Sequence, residues 1–164
     1  MQKKEQLLDE FSGLIPYVQS LRELDEKMWA TPIAEGKWTP KDMIAHIMLW
    51  DKYFLEEAIQ KITSHQPLTA KHLDFDEFNK KAVEYAKDKT VQEIIDETVH
   101  YRNELLRQLE SISEEDFTKE HIDGDGNPFS AYYYLIGFIP HDAHHMEQLE
   151  YFFTKQSNTR NLSK

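Results

Sequence analysis

Cysteine is absent from this chain of 164 residues. That excludes a disulfide framework, a thiolate zinc site and a cysteine nucleophile, so any metal has to be held by His, Asp or Glu. The redox compartment stays open. Glycine and proline are scarce, at five and six residues, too few turn formers for a disordered chain or a loop-rich all-β fold. Cations are outnumbered, 19 Lys and Arg against 30 Asp and Glu, and the net charge is −11. With no Lys/Arg stripe to interrupt that field, a nucleic-acid backbone finds no partner. Long apolar runs are missing too: nothing approaches the roughly 20 residues of a membrane span, and the opening MQKKEQLLDEF lacks the apolar core of a secretory signal. The expectation is a cytoplasmic protein with no membrane contact.

What is present is enough apolar residue, 40% with 12% aromatic, to fill the core of one domain. Leu7, Phe11, Leu14, Val18 and Leu21 recur at three- and four-residue steps and predict a first helix of about two dozen residues. After a loop around TPIAEGK, Thr39 as N-cap, Pro40 at the first helical position and Asp42 at the third open a second helix that runs in period to about Ile62. TSHQPLTAKHL breaks the pattern, and DFDEFNKKAVEYAKD predicts a shorter, charged helix lying over the others. Thr90 caps a long helix with Val91, Ile94, Ile95, Thr98, Leu105, Leu106 and Leu109 on one face. HIDGDGNPFS is a loop, and a last helix spans about Phe129 to Thr154. The fold class is therefore all-α, a four-helix bundle with one additional short helix, over residues 1–155, followed by a polar tail, 156–164.

The last helix carries three of the eight histidines within five positions, in the segment IPHDAHHMEQLEYFF. At 100° per residue, Leu135, Ile139, Met146, Leu149 and Phe153 share one direction; His141 and His145 flank it, and His144 points away. Residues i and i+4 stack on adjacent turns, the spacing at which two imidazoles share one metal. On the second helix His46 lies beside the core line of Met43, Ile47, Trp50 and Phe54 and is the natural third ligand. His100 faces away from its helix's apolar stripe, and His65, His72 and His121 belong to loops. A lone inward histidine is more often a hydrogen-bonded core residue than a ligand. Three together leave both readings open, a divalent-metal site or three structural histidines.

Two motif matches fail on inspection. HDAHH has the spacing of a zinc-protease helix, but Asp142 replaces the glutamate and no acidic residue or histidine follows Glu150 to supply a distant third ligand. DGDGNP begins like a calcium loop but places Pro128 at the glycine and Tyr134 at the bidentate glutamate, so it reads as a turn. Two charges also occupy core positions, Arg102 and Asp142. Buried charges need partners. Arg102 either pairs structurally or meets an anionic substrate group, and Asp142 is a candidate to orient a ligand imidazole. Gly137 and Pro140 predict a kink just ahead of the histidine pair.

KWTPKDMIAHIMLWDKYF and HDAHHMEQL resemble the second and last helices of the DinB/YfiT-like superfamily: a Trp-Ser/Thr opening followed by a metal-binding histidine, then two histidines four apart with a glutamine three further on. Met146 and Glu147 stand where Arg-Gly is commoner. The resemblance implies an up-down-down-up bundle with a divalent metal on His46, His141 and His145, His144 being a non-ligand, and a homodimer. Among relatives are thiol-dependent S-transferases that use bacillithiol or mycothiol, and a maleylpyruvate isomerase. The expected function is thus a metal-dependent enzyme, an S-transferase or hydrolase, whose zinc or nickel (manganese or iron also accept imidazole) activates a small thiol or water toward an electrophilic small molecule. The alternative is a non-catalytic metal-binding or stress-response bundle.

Overall fold

The computed structural model describes residues 2–162. The first expected helix is split into α1 (Lys4–Ser12) and α2 (Leu14–Ser20), with a 3-10 turn at Leu21–Glu23. Pro16 is the reason: it has no N–H to return to the Ser12 carbonyl and its ring crowds that carbonyl. The apolar face survives the break, since Leu7, Phe11, Leu14, Val18 and Leu21 are all buried.

A five-residue helix α3 (Glu26–Ala30) follows, capped by Asp25, whose carboxylate accepts from the Met28 amide at 2.7 Å. Then comes α4 (Pro40–Phe54). Its N-terminus carries the expected capping box, with Thr39 Oγ1 accepting from the Asp42 amide at 3.1 Å and Asp42 Oδ2 accepting from the Thr39 amide at 3.2 Å. Such a cap stabilises a helix by about 1 kcal/mol. A π-helical turn, Leu55–Ile59, joins α4 to α5 (Gln60–Thr63).

The remaining elements are α6 (Phe75–Lys87), α7 (Val91–Ser111, with a Thr90/Glu93 capping box), α8 (Glu114–Thr118), a hairpin of β1 (His121–Ile122) with β2 (Pro128–Phe129), and α9 (Ala131–Leu162). One extra short helix is expected from sequence; α3 and α8 add two more, each too short to show a period. The helix α9 passes through Pro140 without interruption and continues eight residues beyond its expected end at Thr154, through much of the stretch anticipated as tail.

The hairpin turn is an Asp-built loop. Asp123 Oδ1 accepts from the amides of Asp125 (2.9 Å) and Asn127 (2.8 Å), and Gly126 takes φ 85°. Gly124 donates to the Ala70 carbonyl at 2.7 Å, so close that a Cβ would meet backbone oxygens of Thr69 and Ala70 at 3.0 Å.

Pairings between helices fix the topology. Asp51 of α4 meets Arg102 of α7, and Thr63 of α5 meets Gln108 further along α7; both numbers rise together, so these helices are parallel. Lys4 binds the Glu110 carbonyl at 2.9 Å whereas Arg22 binds Asp96 at 2.6 Å, so the first helix pair runs antiparallel to α7. Phe54 contacts Phe138, and His46 contacts His141 and His145, making α9 antiparallel to α4. The order is up-down-down-up, and the parallel α4/α7 neighbours require the long crossover that contains α6.

Two apolar clusters fill the bundle. One gathers Leu14, Val18, Trp29, Ile44, Ile47, Ile94, Ile95 and Leu149; the other gathers Leu7, Phe11, Leu55, Ile59, Leu105, Leu109, Phe117 and Leu135. Along α4, α7 and α9 the buried charged residues Asp51, Arg102 and Asp142 fall where one cluster gives way to the other, and His46 lies within the first.

Candidate metal centre

The structure brings His46 of α4 together with His141 and His145 of α9. One ring nitrogen from each lies within 4.8 Å of the others, and His46 Nε2 is 3.4 Å from His141 Nε2. His144 is exposed, and although its ring lies 5.9 Å from that of His145 it contributes no nitrogen to the cluster.

The outer nitrogen of two rings is tied down. His141 Nδ1 lies 3.1 Å from Asp142 Oδ1, and His145 Nδ1 lies 3.0 Å from Gln148 Oε1. A carboxylate and an amide oxygen only accept, so in both contacts Nδ1 carries the proton and Nε2 is the nitrogen left to face the cluster. Asn79 of α6 favours the protonated form of His46, yet neither His46 Nδ1 nor Asn79 Oδ1 completes a hydrogen bond. Burial pushes His46 down to about 3, with His145 and His141 adding to the effect. His145 is likewise lowered, first by burial and then by His141. Three ring nitrogens converging from two helices are the donor set that a divalent cation takes. The residues present therefore fit a metal.

Rings surround the cluster. Trp38 packs on His46 at 4.8 Å between centroids and lies 6.4 Å from His145; Phe78 and Trp50 stand edge-on to His46, both at 6.4 Å; Phe138 is 5.1 Å from His141. A cleft of about 340 Å³ reaches His145 between Trp38, Met43, Gln148 and Lys37.

Behind His141 lies a sealed ion cluster. Arg102, 1% exposed, grips Asp51 with two bonds (Nε to Oδ2 2.7 Å, NH2 to Oδ1 2.9 Å), donates to Asp142 Oδ2 at 2.7 Å and to the Phe11 carbonyl at 2.8 Å, and lies 3.7 Å from the centre of the Phe11 ring. Four hydrogen bonds to protein acceptors and near-complete burial favour the structural-pairing reading of Arg102. Burial drives the Asp51 carboxyl up to about 6 against the pull of Arg102. Asp142 feels the same burial, but the hydrogen bond from His141 and the Arg102 guanidinium outweigh it and hold its carboxyl below the usual range. Asp142 thus links Arg102 to His141.

Asp51 and Asn79 escape the sequence reading. Asp51 was within reach: it stands four residues after Ile47 on the core line of α4, the same signal that marks Arg102 and Asp142. Asn79 was not, because the placement of α6 depends on the crossover.

The model of the DinB superfamily matches residues 16–149. No curated protein matches the sequence. Among solved structures, YfiT from Bacillus subtilis, a probable metal-dependent hydrolase with an unusual four-helix bundle topology, superposes with a TM-score of 0.79 at 12% identity, over 96% of this chain and 90% of YfiT. An uncharacterised protein from Clostridium difficile 630 gives 0.70 at 16% identity, over 98% and 97% of the two chains. The mycothiol-dependent maleylpyruvate isomerase gives 0.62 at 16% identity, over 90% of this chain and 58% of that one. At these identities the likeness speaks for the fold, and the family match over most of the chain carries the assignment: this protein belongs to the DinB superfamily.

Proposed function

We propose that the protein is a metal-dependent enzyme in which His46, His141 and His145 hold one divalent cation and a small thiol or water is activated for attack on an electrophilic small molecule. The observation that supports it best is the convergence of three imidazoles within 4.8 Å, two of them with the far nitrogen already committed to an acceptor. A divalent cation supplies Lewis acidity, lowering the pKa of a bound water or thiol. Zinc and nickel suit an all-imidazole set, as do manganese and iron with less preference.

The chain's own residues do the rest. Asp142 fixes the tautomer and ring direction of His141, and Arg102 holds Asp142 in turn. Gln148 does the same for His145. Trp38, Trp50, Phe78 and Phe138 line the approach with rings that exclude water and strengthen electrostatic interactions inside it. Likeness to YfiT favours water as the nucleophile, likeness to the mycothiol-dependent isomerase favours a thiol.

A binding-only role draws on one observation: Arg102 engages both Asp51 and Asp142, so neither carboxylate is free as a general base. Elemental analysis of untagged protein, followed by thiol consumption across an electrophile panel with His141→Ala as control, separates the readings. One equivalent of metal with turnover that His141→Ala removes supports the enzyme. Metal without turnover or thiol binding supports the binding role, and absence of metal overturns both.

A further inference from the structure

One turn before His141 on α9, a pocket of about 390 Å³ opens between Phe54 of α4 and Phe129, Tyr134, Gly137 and Phe138. Its walls are rings in mutual contact: Phe54 and Tyr134 at 4.9 Å, Tyr134 and Phe138 at 5.1 Å, Phe54 and Phe138 at 5.0 Å. Among the described residues Glu120 is the one charged residue that lines it. The wall continues into the histidine cluster, because Phe138 lies 5.1 Å from His141 and 6.1 Å from Trp50, which in turn stands 6.4 Å from His46. Phe138 is the link between the two: it lines the pocket and touches the His141 ring.

Gly137 makes the pocket. It sits in the interior of a helix, where glycine is unfavourable relative to alanine, and a Cβ there would meet nothing within 4 Å. No packing constraint or positive φ demands glycine at this position; what its missing side chain provides is space. Gly137 and His141 are i and i+4, so that space lies on the face that carries the ligand histidine.

We infer that this pocket binds the aromatic ring of a small, uncharged substrate whose reacting end lies at the histidine cluster. An apolar cavity of about 150 Å³ already takes benzene, so 390 Å³ accommodates a substituted ring, and edge-to-face contact with Phe54, Tyr134 and Phe138 favours a ring over an aliphatic chain. An anionic substituent at the outer end is disfavoured by Glu120. The location of the reacting end rests on the proposed metal centre; the ring site does not.

The test uses 4-fluorobenzyl alcohol, followed by fluorine NMR, with the full chain loaded with Mn²⁺ or metal-free. Wild type binds it, Gly137→Leu weakens binding at least tenfold, and the variant melts no lower than wild type because leucine is the better helix former. The bound probe is paramagnetically broadened in the Mn²⁺ form, and His46→Ala removes the broadening while keeping the binding. No binding by wild type, or equal binding by a folded Gly137→Leu, overturns the ring site. Binding without broadening in a protein that holds Mn²⁺ overturns its link to the histidines. Failure to take up Mn²⁺, with aromatic binding still lost in Gly137→Leu, sinks the metal reading and leaves the ring site standing.

Discussion

The bundle buries two polar groups side by side, and they are built to opposite standards. Around Arg102, five contacts to Asp51, Asp142, the Phe11 carbonyl and the Phe11 ring leave an arginine 1% exposed with its guanidinium engaged on every side. Beyond Asp142 and His141, His46 is 6% exposed with Nδ1 unpartnered, and its Nε2 faces another imidazole nitrogen at 3.4 Å. Buried polar groups are almost always paired, so a complete cluster reads as structure and an incomplete one as a place prepared for something else. Asp142 belongs to both, one oxygen to each.

The contrast can be broken most forcefully from the ion cluster. Arg102→Ala strands two buried carboxylates and is expected to cost about 3–5 kcal/mol, a fall in melting temperature of roughly 6–20 °C for a chain of this size; a variant as stable as wild type contradicts a structural role. The histidine side should respond to metal instead. Zinc at a hundred times its Kd adds about 2.7 kcal/mol to a protein that binds it folded, a rise of roughly 5–10 °C by calorimetry, which chelation reverses and His141→Ala abolishes. Asp142→Asn sharpens the comparison because it touches both clusters: metal affinity drops about 10–100-fold, read by competition with a chromogenic chelator, together with a loss of stability smaller than that of Arg102→Ala. His144→Ala should change neither metal content nor melting temperature measurably, since that side chain is exposed on the other side of α9; a loss of metal there would dismantle the assignment of the pair.

Much of this was legible before any coordinates. A capping box writes its own position, and Thr39 to Asp42 and Thr90 to Glu93 start α4 and α7 where expected. A 100° wheel separates His141 and His145 from His144 because burial acts on direction alone. The break at Gly13 is local and was readable from Pro16, but five apolar residues in perfect step outweighed it. The π turn at Leu55–Ile59 is hidden for another reason: Thr69 and Ala70 donate to the Glu57 carbonyl, each at 3.0 Å, so that turn is held by a segment remote in sequence. Neighbouring helices in parallel are invisible to periodicity altogether, and with them the position of α6 and Asn79.

His46 and His141 stand 95 residues apart in the chain. Loop-closure entropy makes such contacts slow to form, and the two histidines of α9 alone offer two of the three ring nitrogens. A cation can be captured at full strength only after the last helix has closed against α4, so metal uptake during refolding should lag the formation of helix and coincide with the final step. On the proposed reading the three-histidine cluster thereby marks completed folding as well.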